Sequence, residues 1–260
     1  QVAAASVAFH AGFAIESFRF PMSGESFLLQ WWVSYLVTVF WIVAVTNAVN
    51  LIDGLDGLAT GISMIMAATM AYVCLTADQI PGVIYGVAII GGTLGFLPYN
   101  FPPARIFLGD TGALYLGFSI SLLAVEGYMG GYRRASVLPF VVPLMALAVP
   151  LIDTLLSIVR RVRSGSGVFS ADDLHIHHRL LRTQGSHSRA VIFLYLLTAC
   201  FCSIAVYFTI LEDLRFAFVL LAIVLILTIR LLRNLGVFAE WGEAAKPAAA
   251  PAEAEQKDSG

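Results

Sequence analysis

Charged residues are scarce in this chain. Only 12% of its 260 residues are charged, whereas a soluble globular protein carries about 25%. Hydrophobic residues make up 59% of the sequence. The composition therefore argues against a soluble globular protein and indicates one that lies in a lipid bilayer. The small net charge of −2 gives no sign of a nucleic-acid partner, and none is predicted.

Cysteine is also rare. Cys74, Cys200 and Cys202 all lie in apolar runs, and their spacing is not that of metal ligands. The sequence therefore predicts neither a disulfide framework nor a cysteine-ligated metal site. We expect all three thiols to be packed among apolar side chains.

Long apolar runs fill most of the sequence, and several reach the roughly 20 residues that an α-helix needs to cross a bilayer. Eight apolar segments are recognised, at about 2–16, 28–48, 58–76, 82–98, 110–127, 136–158, 190–210 and 215–234. No polar domain separates them. The predicted fold is an all-α polytopic bundle of transmembrane helices over residues 1–236. A tail at 237–260, rich in Ala, Pro, Glu and Lys, is predicted to be disordered and cytoplasmic.

Arginines orient the predicted bundle. The loop 159–189 is rich in arginine, and such loops stay on the cytoplasmic side of a membrane. Its arginines are Arg160, Arg161, Arg163, Arg179, Arg182 and Arg189. Alternating the spans outward from this loop places the loops 46–58 and 99–110 on the same face. Arg133 and Arg134 fall on the other face and weaken the rule there, but the balance favours this topology.

Two asparagines and two aspartates crowd the end of the second apolar run. They are Asn47, Asn50, Asp53 and Asp56. Carboxylates at the edge of a membrane are costly unless they hold a cation, a proton or a polar ligand. Steps of three residues would place all four side chains on one face of a helix, and the glycine after each acid would let a ligand approach. The alternative is a capped turn, because Asn, Asp and Gly are common turn residues.

A second polar cluster opens the fifth apolar run. Asp110 stands between Gly109 and Gly112. Its carboxylate is a hard oxygen donor of the kind that binds Mg²⁺, which often uses one or two carboxylates together with substrate phosphates. The alternative is that Asp110 caps the N-terminus of its helix.

A third polar cluster lies within the arginine-rich loop, where Asp172 and Asp173 precede a histidine-rich stretch. That stretch contains His175, His177, His178 and Arg179. Zinc binding is one option, but no cysteine stands nearby and the aspartates elsewhere favour Mg²⁺ chemistry. Arginines and histidines together suit a phosphate-rich substrate. The alternative is a solvated basic loop beside anionic lipids.

Three motifs of this chain together resemble one enzyme family. The stretches NAVNLIDGLDGLATG, FLGDTGALYLG and RRVRSGSGVFSADDLHIHHRL resemble those of the polyprenyl-phosphate N-acetylhexosamine-1-phosphate transferases, glycosyltransferase family 4, and occur in the family's order. The similarity runs from Gln1 to about Asn234. The HIHHRL form is similar to the branch that uses UDP-GlcNAc or related UDP-sugars with undecaprenyl phosphate.

The resemblance implies an activity at the bacterial inner (cytoplasmic) membrane, with the active site on the cytoplasmic face. A UDP-N-acetylhexosamine, with GlcNAc as the preferred sugar, would give its sugar-1-phosphate to undecaprenyl phosphate and release UMP. The product would begin a cell-envelope glycan, such as lipopolysaccharide or teichoic acid. The implied cofactor is Mg²⁺, with Mn²⁺ as an alternative. Besides the bilayer and the two substrates, a second copy of the chain in a homodimer is an open partner.

The resemblance also assigns roles to residues of this chain. It makes Asp110 the Mg²⁺ ligand. The implied catalytic residues are Asp53, Asp56, Asp110, His175, His177 and His178. The implied substrate-binding residues are Asn47, Asn50, Arg160, Arg161 and Arg179.

One departure from the family pattern stands out. Family members carry an adjacent Asp-Asp pair shortly before the helix that here begins at Gln1, and this chain has no such pair before Asp172. Its eight segments also fall short of the eleven spans expected of this branch. We therefore expect an N-terminally truncated sequence. Two other hypotheses stay open: an inactive remnant or partner subunit, and a secondary transporter, although a transporter would place its acids near the bilayer midplane.

Overall fold

The computed structural model describes residues 1–19, 26–129, 144–145, 186–210, 219, 222–227, 229–230 and 233. Its elements are α1 (Val2–His10), β1 (Ser17–Arg19), β2 (Ser26–Leu28), α2 (Trp31–Ile52), α3 (Leu58–Thr76), α4 (Ile80–Asn100), α5 (Gly109–Met129) and α6 (His187–Ile210). Helices dominate, which confirms the predicted fold class. The predicted segments 136–158 and 215–234 lie largely outside the described residues, and the tail 237–260 lies wholly outside them.

Four helices in the described part of the chain are long and apolar enough to cross a bilayer. They are α2, α3, α4 and the His187–Ile204 portion of α6. In lipid the backbone must satisfy its own hydrogen bonds, and a helix does so within one segment. The prediction of a polytopic helical membrane protein is therefore confirmed.

The segment between α1 and α2 differs from the predicted apolar runs. Helix α1 ends at His10 rather than near residue 16. Strands β1 and β2 then pair antiparallel, with Ser17 opposite Leu28. Both strands are far too short to span a bilayer. By pairing, they satisfy each other's backbone hydrogen-bonding groups. Apolar content alone did not reveal this change of structure.

Helix α3 lies at the centre of the bundle. It packs against α4, α5 and α6, while α2 packs against α1 and α5. In the most apolar window of α3, 72% of the residues are buried, against 22% in α4. The fully buried side chains on α3 include Ile62, Met66 and Met70. Helix α3 is thus the core element, and α4 turns most of its surface outward.

Small residues set the distances between the helices. A Cβ atom on Gly117 of α5 would lie 2.7 Å from the Cα of Thr46 on α2, and one on Gly86 of α4 would lie 2.8 Å from the Cβ of Ala71 on α3. Membrane helices pack closely where such residues meet, because dispersion contacts replace the hydrophobic effect in lipid. The α2–α5 contact brings the end of α2 beside the start of α5.

The end of α2 corrects one prediction. Helix α2 ends at Ile52, Asp53 is its C-terminal cap residue, and α3 begins after Gly57 in a left-handed conformation with φ of 75°. The expectation that Asn47, Asn50, Asp53 and Asp56 share one helix face is therefore wrong for Asp53 and Asp56, which lie in the turn 53–57. Two successive Asp-Gly pairs favour a turn over continued helix.

The other two predicted loops also have narrower bounds in the structure. The loop between α4 and α5 is 101–108, since Asn100 ends one helix and Gly109 begins the next. Of the predicted loop 159–189, only 186–189 belongs to the described residues, and 187–189 already form the start of α6.

Candidate functional site

An open pocket of about 280 Å³ lies where α2, α4 and α5 end or begin. Its walls are the turn 53–57 and the loop 101–108. It is lined by Asp53, Gly54, Leu55, Asp56, Asn100, Phe107, Leu108, Gly109 and Asp110. The structure thus brings together acidic residues from two motifs that are far apart in the sequence. This geometry agrees with the arginine-based prediction that the two clusters lie on the same face of the membrane.

A direct hydrogen bond joins the two motifs. The side-chain amide of Asn50 donates to Oδ1 of Asp110 over 3.2 Å. Asp110 lies in the first turn of α5, which begins at Gly109, so its carboxylate is near the positive end of the helix dipole. Asp110 is therefore inside the helix rather than at its N-cap. Asn50 fixes the direction in which this carboxylate faces the pocket.

Asp56 connects the two walls of the pocket. Its Oδ2 accepts a hydrogen bond from the backbone N–H of Ala104 over 3.0 Å. The bond runs from the turn 53–57 to the loop 101–108, and charge-assisted bonds of this kind are stronger than neutral ones. Asp56 is half-buried. In this structure it is a bridge between the walls as well as an acid of the pocket.

Asn100 is a polar centre that the sequence analysis did not identify. Its side chain is 2% exposed. Oδ1 accepts from the Thr60 hydroxyl over 2.7 Å, and Nδ2 donates to the Ile106 carbonyl over 3.0 Å. Asn100 therefore ties the first turn of α3 to the far side of the loop 101–108. The only signal in the sequence was an amide side chain at the end of an apolar run.

The electrostatics of the pocket are dominated by Asp53. The pKa of this carboxyl is raised from 3.8 to about 6, mainly by burial and to a lesser extent by the negative charges of Asp110 and Asp56. Like charges and desolvation both disfavour the ionised form. The pocket therefore holds more negative charge than its own residues neutralise, and a bound cation would relieve it.

The carboxylate oxygens of the pocket are donors of the kind that would suit a magnesium ion. Among the residues that the structure describes, no three acidic, histidine or cysteine side chains form a ready-made metal cluster. Mg²⁺ does not require one, because it commonly binds through one or two carboxylates plus phosphates and water. Asp110 and Asp53 supply carboxylates of this kind, with Asn50 holding the first of them in place.

Asn47 lies apart from this pocket. Its side-chain amide donates to the Val43 carbonyl over 2.7 Å and to Oε1 of Gln1 over 2.6 Å. It is not among the pocket residues. Asn50 does not line the pocket either, but it bonds to the pocket residue Asp110, whereas the amide of Asn47 bonds to Val43 and Gln1. Asn47 is therefore separate from the other three polar residues of its motif.

The remaining predicted site residues lie outside the described part of the chain. They are His175, His177, His178, Arg160, Arg161 and Arg179. Their implied roles stay predictions.

Two residues of α6 also reach the pocket walls, although nothing in the sequence pointed to them. The Tyr195 hydroxyl donates to the Gly57 carbonyl, and the Ser188 hydroxyl donates to the Pro102 carbonyl over 3.3 Å. Both stand in or beside an apolar run, where a hydroxyl carries no sign of its partner.

An apolar groove of about 250 Å³ lies on the same helix pair as the acids. It is lined by Gln1, Ala4, Ile42, Val43, Thr46, Leu114, Tyr115 and Phe118. Thr46 lies about one helical turn before Asn50, and Leu114 about one turn after Asp110. An apolar surface thus adjoins Asn50 on α2 and Asp110 on α5.

Comparison with known proteins adds an independent finding. The sequence profile of glycosyl transferase family 4 matches residues 1–128. A probable undecaprenyl-phosphate N-acetylglucosaminyl 1-phosphate transferase of Bacillus subtilis is 42% identical over 197 residues, which are 76% of this chain and 54% of that protein. A decaprenyl-phosphate N-acetylglucosaminephosphotransferase of Mycobacterium tuberculosis is 37% identical over 213 residues, 75% of this chain and 53% of that protein.

A third relative is named for a different transferred group. It is a phospho-N-acetylmuramoyl-pentapeptide-transferase of Moorella thermoacetica, 39% identical over 177 residues, which are 68% of this chain and 52% of that protein. The chain spans about half the length of the curated relatives it matches.

Proposed function

Because this chain belongs to glycosyl transferase family 4, we propose that it transfers a sugar-1-phosphate from a UDP-N-acetylhexosamine to undecaprenyl phosphate. GlcNAc-1-phosphate is the proposed group, since the relatives with N-acetylglucosamine in their names match over the longer stretches. One structural observation carries the proposal. Three carboxylates from two motifs meet in one pocket, beside the ends of the membrane helices α2 and α4.

The proposed reaction is a phosphoryl transfer. An oxygen of the lipid phosphate attacks the β-phosphorus of the UDP-sugar, and a new P–O–P linkage forms. The bond from this phosphorus to the bridging oxygen breaks, and UMP leaves with the electron pair. Such reactions need positioning and neutralisation of phosphate charge more than covalent help from the protein.

Mg²⁺ is the proposed cofactor, with Mn²⁺ as an alternative, and Asp110 and Asp53 would hold it. When bound, it would neutralise charge on the diphosphate and on the leaving UMP. The protein's own residues have separate tasks. Asn50 orients the Asp110 carboxylate, and Asp56 keeps the two walls in register through Ala104.

The position of the pocket suits an acceptor that is half lipid. Since the acids lie where α2 ends and α5 begins, a lipid phosphate in the headgroup region can reach them while its chain remains in the bilayer. The adjoining apolar groove would receive the first part of the isoprenoid chain. We place the site on the cytoplasmic face of the inner membrane, on the strength of the arginine-rich loop.

The direct test is release of UMP from UDP-GlcNAc by the purified membrane protein with undecaprenyl phosphate and Mg²⁺. The protein should be expressed with any coding sequence that flanks this chain. We expect UMP only when both substrates and the metal are present. The Bacillus subtilis relative serves as a positive control. If that control is active and this protein releases no UMP from any UDP-N-acetylhexosamine, the proposal is wrong and a non-catalytic role is favoured.

A further inference from the structure

Helix α6 makes one polar contact with each wall of the acidic pocket. Tyr195 binds the Gly57 carbonyl in the turn 53–57. Ser188 binds the Pro102 carbonyl in the loop 101–108. The two donors lie seven residues, about two helical turns, apart on one helix. Neither lines the pocket itself, so their effect on the acids has to be indirect.

The Tyr195 contact is closely fitted. A Cβ atom on Gly61 of α3 would overlap the Tyr195 ring, so the ring occupies space that only a glycine leaves. The Gly57 carbonyl also accepts from the Gly61 N–H over 2.9 Å. A carbonyl oxygen has two acceptor positions, and here two donors use them. The peptide group between Gly57 and Leu58 is thereby held from α3 and from α6 together.

Gly57 is also confined on its other side. A Cβ atom at this position would lie 3.3 Å from the Asn100 carbonyl oxygen and 3.3 Å from the Phe101 Cα. The turn therefore fits between α6 and the start of the loop 101–108. The same loop carries Ala104, whose N–H binds Asp56. Tyr195 and Ser188 thus act on the two ends of the Asp56–Ala104 bridge.

The hydroxyls are not needed to dock α6. The helix packs against α3 through buried apolar side chains that include Val191, Leu194 and Phe201. Packing of that kind holds the helix in place but does not select the direction of a particular carbonyl group. A hydrogen bond to each wall does.

We propose that Tyr195 and Ser188 are positioning residues that fix the separation and orientation of the two walls, and thereby of Asp53 and Asp56. This inference rests on the proposed transferase function for its kinetic part. Its structural part is independent, because wall order can be measured without turnover.

The kinetic experiment uses Tyr195→Phe and Ser188→Ala in the purified protein, expressed with any flanking coding sequence. Each substitution keeps the apolar contacts and removes one hydroxyl. Because small misplacements of reacting groups are costly, we expect kcat for UMP release to fall about 10-fold or more for Tyr195→Phe. We expect KM for UDP-GlcNAc to change much less, and the Mg²⁺ concentration for half-maximal activity to rise. Tyr72→Phe, on the exposed side of α3, is the matched control with unchanged kcat.

The second experiment measures hydrogen–deuterium exchange of backbone amides in the same variants. We expect faster exchange confined to the turn 53–57 and the loop 101–108 in Tyr195→Phe, with the melting temperature close to that of the parent protein. Gly61→Ala, which displaces the Tyr195 ring, should give the same pattern. If the parent protein proves inactive, the proposed function falls while the exchange data still decide whether α6 orders the walls.

Two outcomes would overturn the inference. One is unchanged exchange in both walls together with unchanged kcat in Tyr195→Phe. The other is a uniform rise in exchange along α3 and α6 with a matching loss of folded protein and an unchanged kcat per folded molecule. The second result would show that Tyr195 contributes to stability only.

Discussion

The two turns at the ends of α3 both contain aspartate, and they have different surroundings. In the turn 53–57, Asp56 bonds to the loop 101–108 and Gly57 bonds to α6. In the turn 77–79, the hydrogen bonds are local. The N–H groups of Asp78 and Gln79 donate to the carbonyl oxygens of Leu75 and Cys74 in the preceding helix. Asp78 is exposed and takes a positive φ of 58°. It ends a helix, whereas Asp53 and Asp56 belong to a pocket.

An acid beside a membrane helix is therefore not by itself a sign of function. Asn and Asp tolerate the left-handed conformation better than most residues, which accounts for Asp78. The distinguishing feature at the other end of α3 is long-range contact with α4, α5 and α6.

The largest difference should come from replacing an acid on each side. Asp110→Asn should reduce UMP release by at least about 100-fold, because it removes the negative charge proposed to hold Mg²⁺. Asp78→Asn is the matched control and should leave the rate unchanged. Activity of Asp110→Asn within a few-fold of the parent protein would contradict the metal role.

The next effect concerns Asn100, which has no counterpart at the turn 77–79. Asn100→Ala would leave the Thr60 hydroxyl and the Ile106 carbonyl without their buried partner. Leaving such a group unsatisfied costs about 1–3 kcal/mol. We expect a lower melting temperature in detergent and reduced activity. Thr60→Val together with Asn100→Leu should recover part of the stability and none of the activity; recovery of both would show that Asn100 has no part in the site.

The effect of pH on stability and on Mg²⁺ activation should also differ between the two turns. The pKa of Asp53 is raised to about 6, so this carboxyl binds its proton more tightly in the folded protein than in the unfolded chain. The stability that this proton provides is complete below about pH 4 and is lost as the pH rises through about 6. Below pH 6 the proton competes with Mg²⁺, and the half-activating Mg²⁺ concentration should rise by up to about tenfold per pH unit.

Mg²⁺ titration of UMP release between pH 5 and 8 measures this dependence. Asp53→Asn should flatten it, and Asp78→Asn should leave it as it is. An equally steep dependence in Asp53→Asn would assign the titration to another group.

The smallest effects come from the position with positive φ in each turn, Gly57 in one and Asp78 in the other. Gly57→Ala puts a side chain into a left-handed conformation and against Asn100, so we expect it to cost about 1–2 kcal/mol. Asp78→Gly removes a mild strain in open surroundings and should be neutral or stabilise by a few tenths of a kcal/mol, as Gly accepts this conformation freely. Thermal unfolding in detergent measures both. Equal destabilisation by the two substitutions, or a Gly57→Ala protein as stable as the parent, would remove the contrast between the turns.

The membrane helices were the most predictable part of the fold. The predicted segment 58–76 has the bounds of α3, and 82–98 lies within α4. The bilayer imposes long apolar runs, so composition along the chain carries the information. The strand pair before α2 was missed because strands of three residues are too short to show the alternating pattern by which a strand is recognised in a sequence.

The candidate site was predictable as a set of acids and not as a set of contacts. Asp53, Asp56 and Asp110 were identified because charge is costly at a membrane edge. Asn100, Ser188 and Tyr195 were not, because a neutral polar side chain in an apolar run is ordinary until its partner is known. The displacement of Asn47 from the pocket has a similar cause, since its partner Gln1 lies far from it in the sequence.

The contact of Gly117 with Thr46 has a mechanical consequence. Thr46 lies within a membrane-spanning helix, one turn before Asn50, and Gly117 lies about two turns after Asp110. The separation of α2 and α5 at this crossing point therefore affects the distance between Asn50 and Asp110, which lie beyond it and are joined by a hydrogen bond. A bulkier residue at position 117 would separate α2 and α5 by roughly the width of the group added. Control of the pocket opening thus belongs partly to a residue that no water-soluble substrate would touch.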